Sequence, residues 1–351
     1  MSGFLQLLQF SPLTRRRLRR FRSIRRGYYS AILLLIAVVV GFCAELVAGN
    51  RALVVHYQGE YFVPLIHDVL PGSTFGLSYD YETNYRELQE SFGDGPNWLV
   101  MPFIPYGPYE NDFRVSAPAA PDFAMKHFLG TDVAGRDVLS RLIYGFRIGI
   151  LFAIALGFFE FLFGITLGLT MGYFGGRFDL IGQRLVEIWS NVPVLYLVII
   201  VASFILPSFW TLLGLLVLFG WVSKTQYMRA LAYAEKGKDY VLAARTIGFS
   251  STSIMFRQIL PNTVSMIVTL LPFTLEGSFA ALTIYDYLGF GLPPPTPSWG
   301  ELLHQGTTNL RNAPWLTLSV VGALVLLLVM LTFVGEALRE AFDPKNYVRY
   351  E

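Results

Sequence analysis

The sequence holds a single cysteine, Cys43, and only four histidines. One thiol allows no intrachain disulfide and no thiolate metal cluster. His56, His67 and His127 show no i,i+4 spacing, so no ligand role is assigned to them. Charge is scarce as well. Asp, Glu, Lys and Arg make up 15% of the 351 residues, against 54% hydrophobic, and the mean hydropathy is +0.48. That balance excludes a soluble domain with a large core and points to a polytopic membrane protein. Catalytic signatures are missing too. No G-x-x-x-x-G-K-[ST] phosphate loop occurs, so any ATP is bound by another polypeptide. H-E-x-x-H and G-x-S-x-G are absent, and no Ser/His pair convincingly shares one membrane depth. No catalytic residue and no metal site is therefore assigned.

What the chain does have is arranged in blocks. Residues 1–28 carry eight arginines and no acid. Such a block can bind nucleic acid, but beside an apolar run it reads as a cytoplasmic anchor on the bilayer, with no nucleic-acid partner. FLQLLQF at 4–10 is amphipathic enough to lie on the membrane surface. The run 29–48 is long enough to span, and lacks a small-residue cleavage site, so it is expected to be retained. Residues 49–147 differ in kind: they are rich in Pro, Gly, Tyr and acids, with strand-like pieces such as ALVVHYQ and YFVPLI. They read as an extramembrane insertion of about a hundred residues, either decorative or contacting a ligand or docking protein.

Further spans are expected at about 148–172, 192–207, 209–229, 262–285 and 315–335. Gly164, Gly168 and Gly172 recur at i,i+4 and suit close helix packing. The expected fold is thus all-α, with six transmembrane helices and both termini cytoplasmic. Residues 148–335 form a five-helix core containing a loop at 230–262, and 336–351 are a cytoplasmic tail. In this arrangement 19 of the 27 Lys and Arg fall on the cytoplasmic side, as the positive-inside rule requires. Intramembrane acids are few. Glu160 and Glu276 are candidates to line a translocation path, with packing against a partner as the alternative. No Lys or Arg partner for them is evident in the sequence.

The most informative stretch is YVLAARTIGFSSTSIMFRQILPN, from Tyr240 to Asn262, too polar to lie in hydrocarbon. Ala243 and Ala244 are small, Gly248 is suited to end a short helix, and Pro261 marks where the chain re-enters the membrane. This pattern resembles the EAA loop of the inner-membrane permease subunits of ABC importers, with Leu242 where that family usually has glutamate. Without the resemblance it would read as an ordinary helical hairpin between two spans.

A second stretch, HFLGTDVAGRDVLSRLIYGFRIGI, is similar to the signature of peptide-type permeases at Gly130, Thr131, Asp132, Gly135, Arg136 and Asp137. It reads as a glycine-started amphipathic helix on the outer surface with local Arg–Asp pairing. The runs GYFGGRFDLIGQRLVEIW, YDYLGFGLP, PSWGELLHQG and NLRNAPW narrow the resemblance to the second permease of microcin C/oligopeptide (Yej-type) importers, in the dipeptide/oligopeptide family.

That resemblance implies a multi-pass protein of the bacterial inner membrane. It would form a heterodimer with a second permease, above two ATP-binding domains, separate or fused, and below a periplasmic peptide-binding protein. Tyr240, Leu242, Ala243, Ala244, Gly248 and Pro261 would dock the ATPase. This chain would carry no cofactor, ATP and Mg lying on the ATPase. The competing class is a secondary transporter or channel working without an ATPase. It should show repeated halves or paired broken helices, and neither is clear in the sequence.

Overall fold

The computed structural model describes residues 12–66, 69–93 and 95–343. The surface segment expected at 4–10, His67 and the end of the tail lie outside the described residues. Helices dominate. α1 (Pro12–Ser23) and α2 (Arg25–Phe42) are followed by the short α3 (Ala44–Val47). α4 (Tyr85–Phe92) lies in the insertion, and α5 (Val138–Phe174) runs for 37 residues. Then come α6 (Gly176–Ser190), α7 (Val194–Phe204), α8 (Phe209–Glu235) and α9 (Asp239–Thr246). α10 (Ser251–Ser253), a π-helical turn (Ile254–Ile259) and α11 (Leu260–Tyr287) form one helical run, followed by α12 (Trp299–Thr308) and α13 (Pro314–Phe342).

Among the described residues, four helical stretches are long and apolar enough to cross a membrane: α2, α5, the run Ser251–Tyr287, and α13. The pair α6 and α7, bent by 64°, makes a fifth if counted as one broken span. This corrects the expected span at 192–207. α7 has 11 residues, which at 1.5 Å per residue is too short to cross alone. Pro193, lacking an N–H, stands between it and α6. α8 has the length, but Lys224, Arg229 and Glu235 fall in its second half, and it is not among the four.

The chain is also not all-α. The insertion holds a three-stranded antiparallel sheet, in the order β2 (Glu60–Phe62), β1 (Val54–Tyr57), β3 (Trp98–Val100). Gln58 and Gly59 both have positive φ, 49° and 88°, which makes the β1–β2 connection the two-residue turn whose twist matches a hairpin. Register places Val55 opposite both Phe62 and Leu99. That face packs on Phe75, Tyr85 and Leu88, so the insertion has its own small core. Successive side chains of a strand point to opposite faces, so Leu99 is buried while Trp98 and Val100 beside it are exposed.

The chain divides into two compact units. One comprises residues 35–149 and 283–325 and contains the sheet. The other comprises the residues up to 34, 150–282 and those from 326. In the latter, Arg20 and Arg26 of the basic N-terminal block pair with Glu340 and Glu336 at 2.5 and 3.0 Å.

Candidate functional site

Within the unit that contains residues 150–282, the 240–262 loop is a small rigid platform. α9 ends in a Schellman motif: the Phe249 N–H donates to the Ala244 carbonyl and the Gly248 N–H to that of Arg245, both at 3.1 Å. Gly248 takes the left-handed conformation this needs, at φ 92°. Ser250 then caps the next turn, accepting from the Ser253 N–H at 3.3 Å.

Pro261 does not stop the helix as expected. It sits in a continuous helical run, immediately after the π-turn, and the Leu260 N–H reaches back to the Met255 carbonyl. Proline has no N–H for the carbonyl four residues back, and its ring crowds that carbonyl. The wider π-turn at Ile254–Ile259 opens the helix where that crowding would occur.

The platform is anchored from beneath. Val241 and Ala244 are buried in a cluster with Leu169 and Tyr173 of α5, Met228 and Ala232 of α8, and Ile254, Met255 and Ile259 of the π-turn. Each large side chain so buried contributes about 1.5–3 kcal/mol relative to exposure. Tyr240 is half-buried and its hydroxyl donates to Glu235 Oε2 at 2.7 Å. Burial, reinforced by the Glu235 bond, pushes the Tyr240 phenol up to about 12.

The two alanines therefore have opposite roles. Ala243 is exposed, whereas Ala244 faces inward at 6% exposure. The exposed large apolar side chains of the loop are Leu242, Ile247 (76% exposed), Phe249 and Phe256. Sequence reasoning missed Ile247 and Phe249. Their signal was present, since two large apolar residues flank the glycine of an otherwise polar loop.

α5 and α8 come close enough to carry this platform because of the glycine stripe. A Cβ at Gly168 would stand 2.6 Å from both the Met228 Cβ and the Thr225 carbonyl oxygen, and one at Gly172 would stand 2.7 Å from the Ala232 Cβ. Asp179 of α6 grips Arg229 of α8 through two bonds of 2.5 and 2.6 Å.

Glu160 does have a cationic partner. Its Oε2 lies 3.0 Å from Lys224 Nζ, and the residue is buried. Their separation of 64 positions in the chain hid the pair from the sequence. Glu276 is half-buried and accepts from the Thr332 hydroxyl at 3.1 Å.

The signature at 130–137 belongs to the other unit and is a buried knot rather than a helix start. Gly130 and Gly135 have φ 74° and 81°, Thr131 and Asp137 bridge, and α5 begins only at Val138. Asp137 caps it, accepting from the Ser140 N–H at 2.7 Å. The expected local pair exists, Arg136 Nε to Asp132 Oδ2 at 2.7 Å. It is part of a balanced set in which Arg136 and Arg141 also hold Glu301. His127, given no role from sequence, lies buried between Asp137 (2.9 Å) and Asp112 (3.3 Å). Hydrogen bonds from Arg114 hold the Asp112 carboxyl well below the usual carboxylate range. Thr131, Asp132, Arg136 and Asp137 are all buried, so they brace this unit and present no open surface. Among the described residues, no group of His, Cys, Asp and Glu could hold a metal ion.

The 240–262 loop is thus a partly apolar platform seated on two long helices, α5 and α8. Residues 164–346 match the family described as the binding-protein-dependent transport system inner membrane component. The chain is 40% identical to the peptidoglycan transport system permease protein YejE of Agrobacterium fabrum, over 97% of this chain and 95% of that one. It is 39% identical to the inner membrane ABC transporter permease protein YejE of Escherichia coli, over 97% and 99%. To the oligopeptide transport system permease protein OppC of Lactococcus lactis it is 34% identical, over 64% and 77%. The chain belongs to the family of binding-protein-dependent ABC permeases. It is accordingly a multi-pass, non-catalytic component of the inner membrane, carries no cofactor of its own, and works with an ATPase and a binding protein.

Proposed function

We propose that this chain is one of two permease subunits that together form a peptide path across the inner membrane, driven by an ATPase docked on the 240–262 loop. The observation that carries this reading is the exposed edge of α9. Leu242, Ala243, Ile247 and Phe249 stand out from a platform fixed by the buried cluster beneath it, so a push on the edge reaches α5 and α8. With Leu242 in place of an acid, docking relies on apolar contact. ATP and Mg lie on the ATPase domains, and closure of those domains moves α9 as a rigid body.

The topology that fits has six spans. α6–α7 counts as one broken span, α8 as another, and both termini and the loop lie in the cytoplasm, where the eight arginines of residues 1–28 then fall. The insertion then faces the binding protein. Peptides are the proposed cargo because the relatives are named for oligopeptide and peptidoglycan transport. Microcin C-like peptides fall within that class. Glu276 is the acid proposed to face the path.

The test is a mild-detergent pull-down of the tagged chain from its own cells. Recovery of a second permease and an ATPase, with the ATPase lost in Ile247→Asp, supports the reading. Recovery of the chain alone, with peptide uptake by the purified chain in liposomes, would replace it with a secondary transporter or channel.

A further inference from the structure

We propose that Glu160 and Lys224 fix the register of α5 against α8, and that this pair is a positioning element of the transport cycle rather than a contact for cargo. The inference rests on α9 being the element that receives the ATPase. Glu160 Oε2 and Lys224 Nζ stand 3.0 Å apart, with side chains only 11% and 18% exposed. Either charge alone in a spanning segment is costly. Together they add little net stability, because the loss of hydration offsets most of their attraction, and apolar residues of similar volume hold two helices at least as firmly.

What the pair supplies is register. The glycine stripe at Gly164, Gly168 and Gly172 brings the α8 backbone against α5, but a smooth groove leaves sliding along the axis cheap. A slip of one residue is about 1.5 Å, enough to break a charge contact. Glu160–Lys224 is the charged contact between α5 and α8 themselves, while Asp179–Arg229, at 2.5 Å, ties α8 to α6. The site is shaped for the first contact. A Cβ at Gly220 would crowd the Glu160 carboxylate and oblige it to shift, so glycine there leaves the carboxylate its room. Leu169, Tyr173, Met228 and Ala232, on the same stretches of α5 and α8, form the seat of α9. A displacement of α9 is thereby delivered to both helices as one body.

The test uses the complete importer in proteoliposomes, comprising this chain, the second permease, the ATPase and the binding protein. Peptide uptake, ATP hydrolysis and Tm are measured together. Glu160→Leu/Lys224→Leu is expected to keep or raise Tm, keep the ATPase bound and hydrolysing, and lower peptide moved per ATP by about tenfold. The swap Glu160→Lys/Lys224→Glu is expected to recover most of that loss. If the swap does not fold, the apolar pair decides the matter. Wild-type transport per ATP in the apolar pair overturns the proposal. So does a changed half-saturating peptide concentration in Glu160→Gln at unchanged uptake per ATP, since that marks a cargo contact. Ile247→Asp separates the underlying reading. Loss of the ATPase there upholds docking, and its retention overturns docking whatever the ion pair does.

Discussion

At the scale of single residues, neighbours in the chain separate into different jobs. Ala243 and Ala244 are chemically identical, yet one is exposed and the other is packed into the cluster under α9. Ala244→Asp buries an unpaired carboxylate and is expected to destabilise the protein by several kcal/mol, seen as a lower Tm and lower yield. Ala243→Asp should leave Tm unchanged and weaken ATPase capture. Equal thermal effects of the two would refute the assignment of faces. In the other unit, Glu301 balances Arg136 and Arg141. Glu301→Gln leaves an uncompensated buried charge and is expected to cost about 3–5 kcal/mol, measured by thermal unfolding in detergent. Asp112 has a pH signature. Its folded pKa is depressed by Arg114 below the ordinary 3.8, so the stabilisation is present above 3.8 and lost as pH falls toward the folded value. Hydrogen exchange across 112–137 should rise on acidification below pH 3.8, and Asp112→Asn should abolish that dependence.

At the scale of elements, α5, α8 and α9 pack as one body because close backbone approach joins the first two and a buried cluster joins the third. The stripe makes this sharp. Any side chain at Gly168 must displace the Thr225 carbonyl or Met228. Gly168→Leu is therefore expected to cost at least about 1–3 kcal/mol and to release α9, detected as faster proteolysis within 240–262. Unchanged cleavage would mean that α9 is held from elsewhere. The stripe was legible as an i,i+4 glycine pattern, and the Gly248 turn as a glycine closing a short helix. The π-turn was not, because it answers the crowding of Pro261 inside a helix that the sequence suggested would end there. Nor was the knot at 130–137. Its Arg and Asp residues look like a surface helix until Glu301, far along the chain, is placed beside them.

At the scale of the whole molecule, the proposed orientation can be checked with the protein's own chemistry. Cys43 is the only cysteine, so Cys43→Ser gives a clean background for single cysteines at Gln58 and Ile247. A membrane-impermeant maleimide added outside intact spheroplasts is expected to label position 58 and not 247; the reverse, or labelling of both, would sink the six-span orientation. The sequence by itself determined the class of protein, since composition, apolar runs and the polar 240–262 loop are local properties that survive without a fold. It also placed the permease signatures, which are contiguous strings. The tertiary structure alone decided which face each residue shows. It turned Ala244 inward and Ile247 outward, joined Glu160 to Lys224, closed His127 between two aspartates, and gave the insertion its sheet. Those outcomes depend on pairs far apart in the chain, and the energy of burying a charge or a methyl group is set by what the fold brings against it.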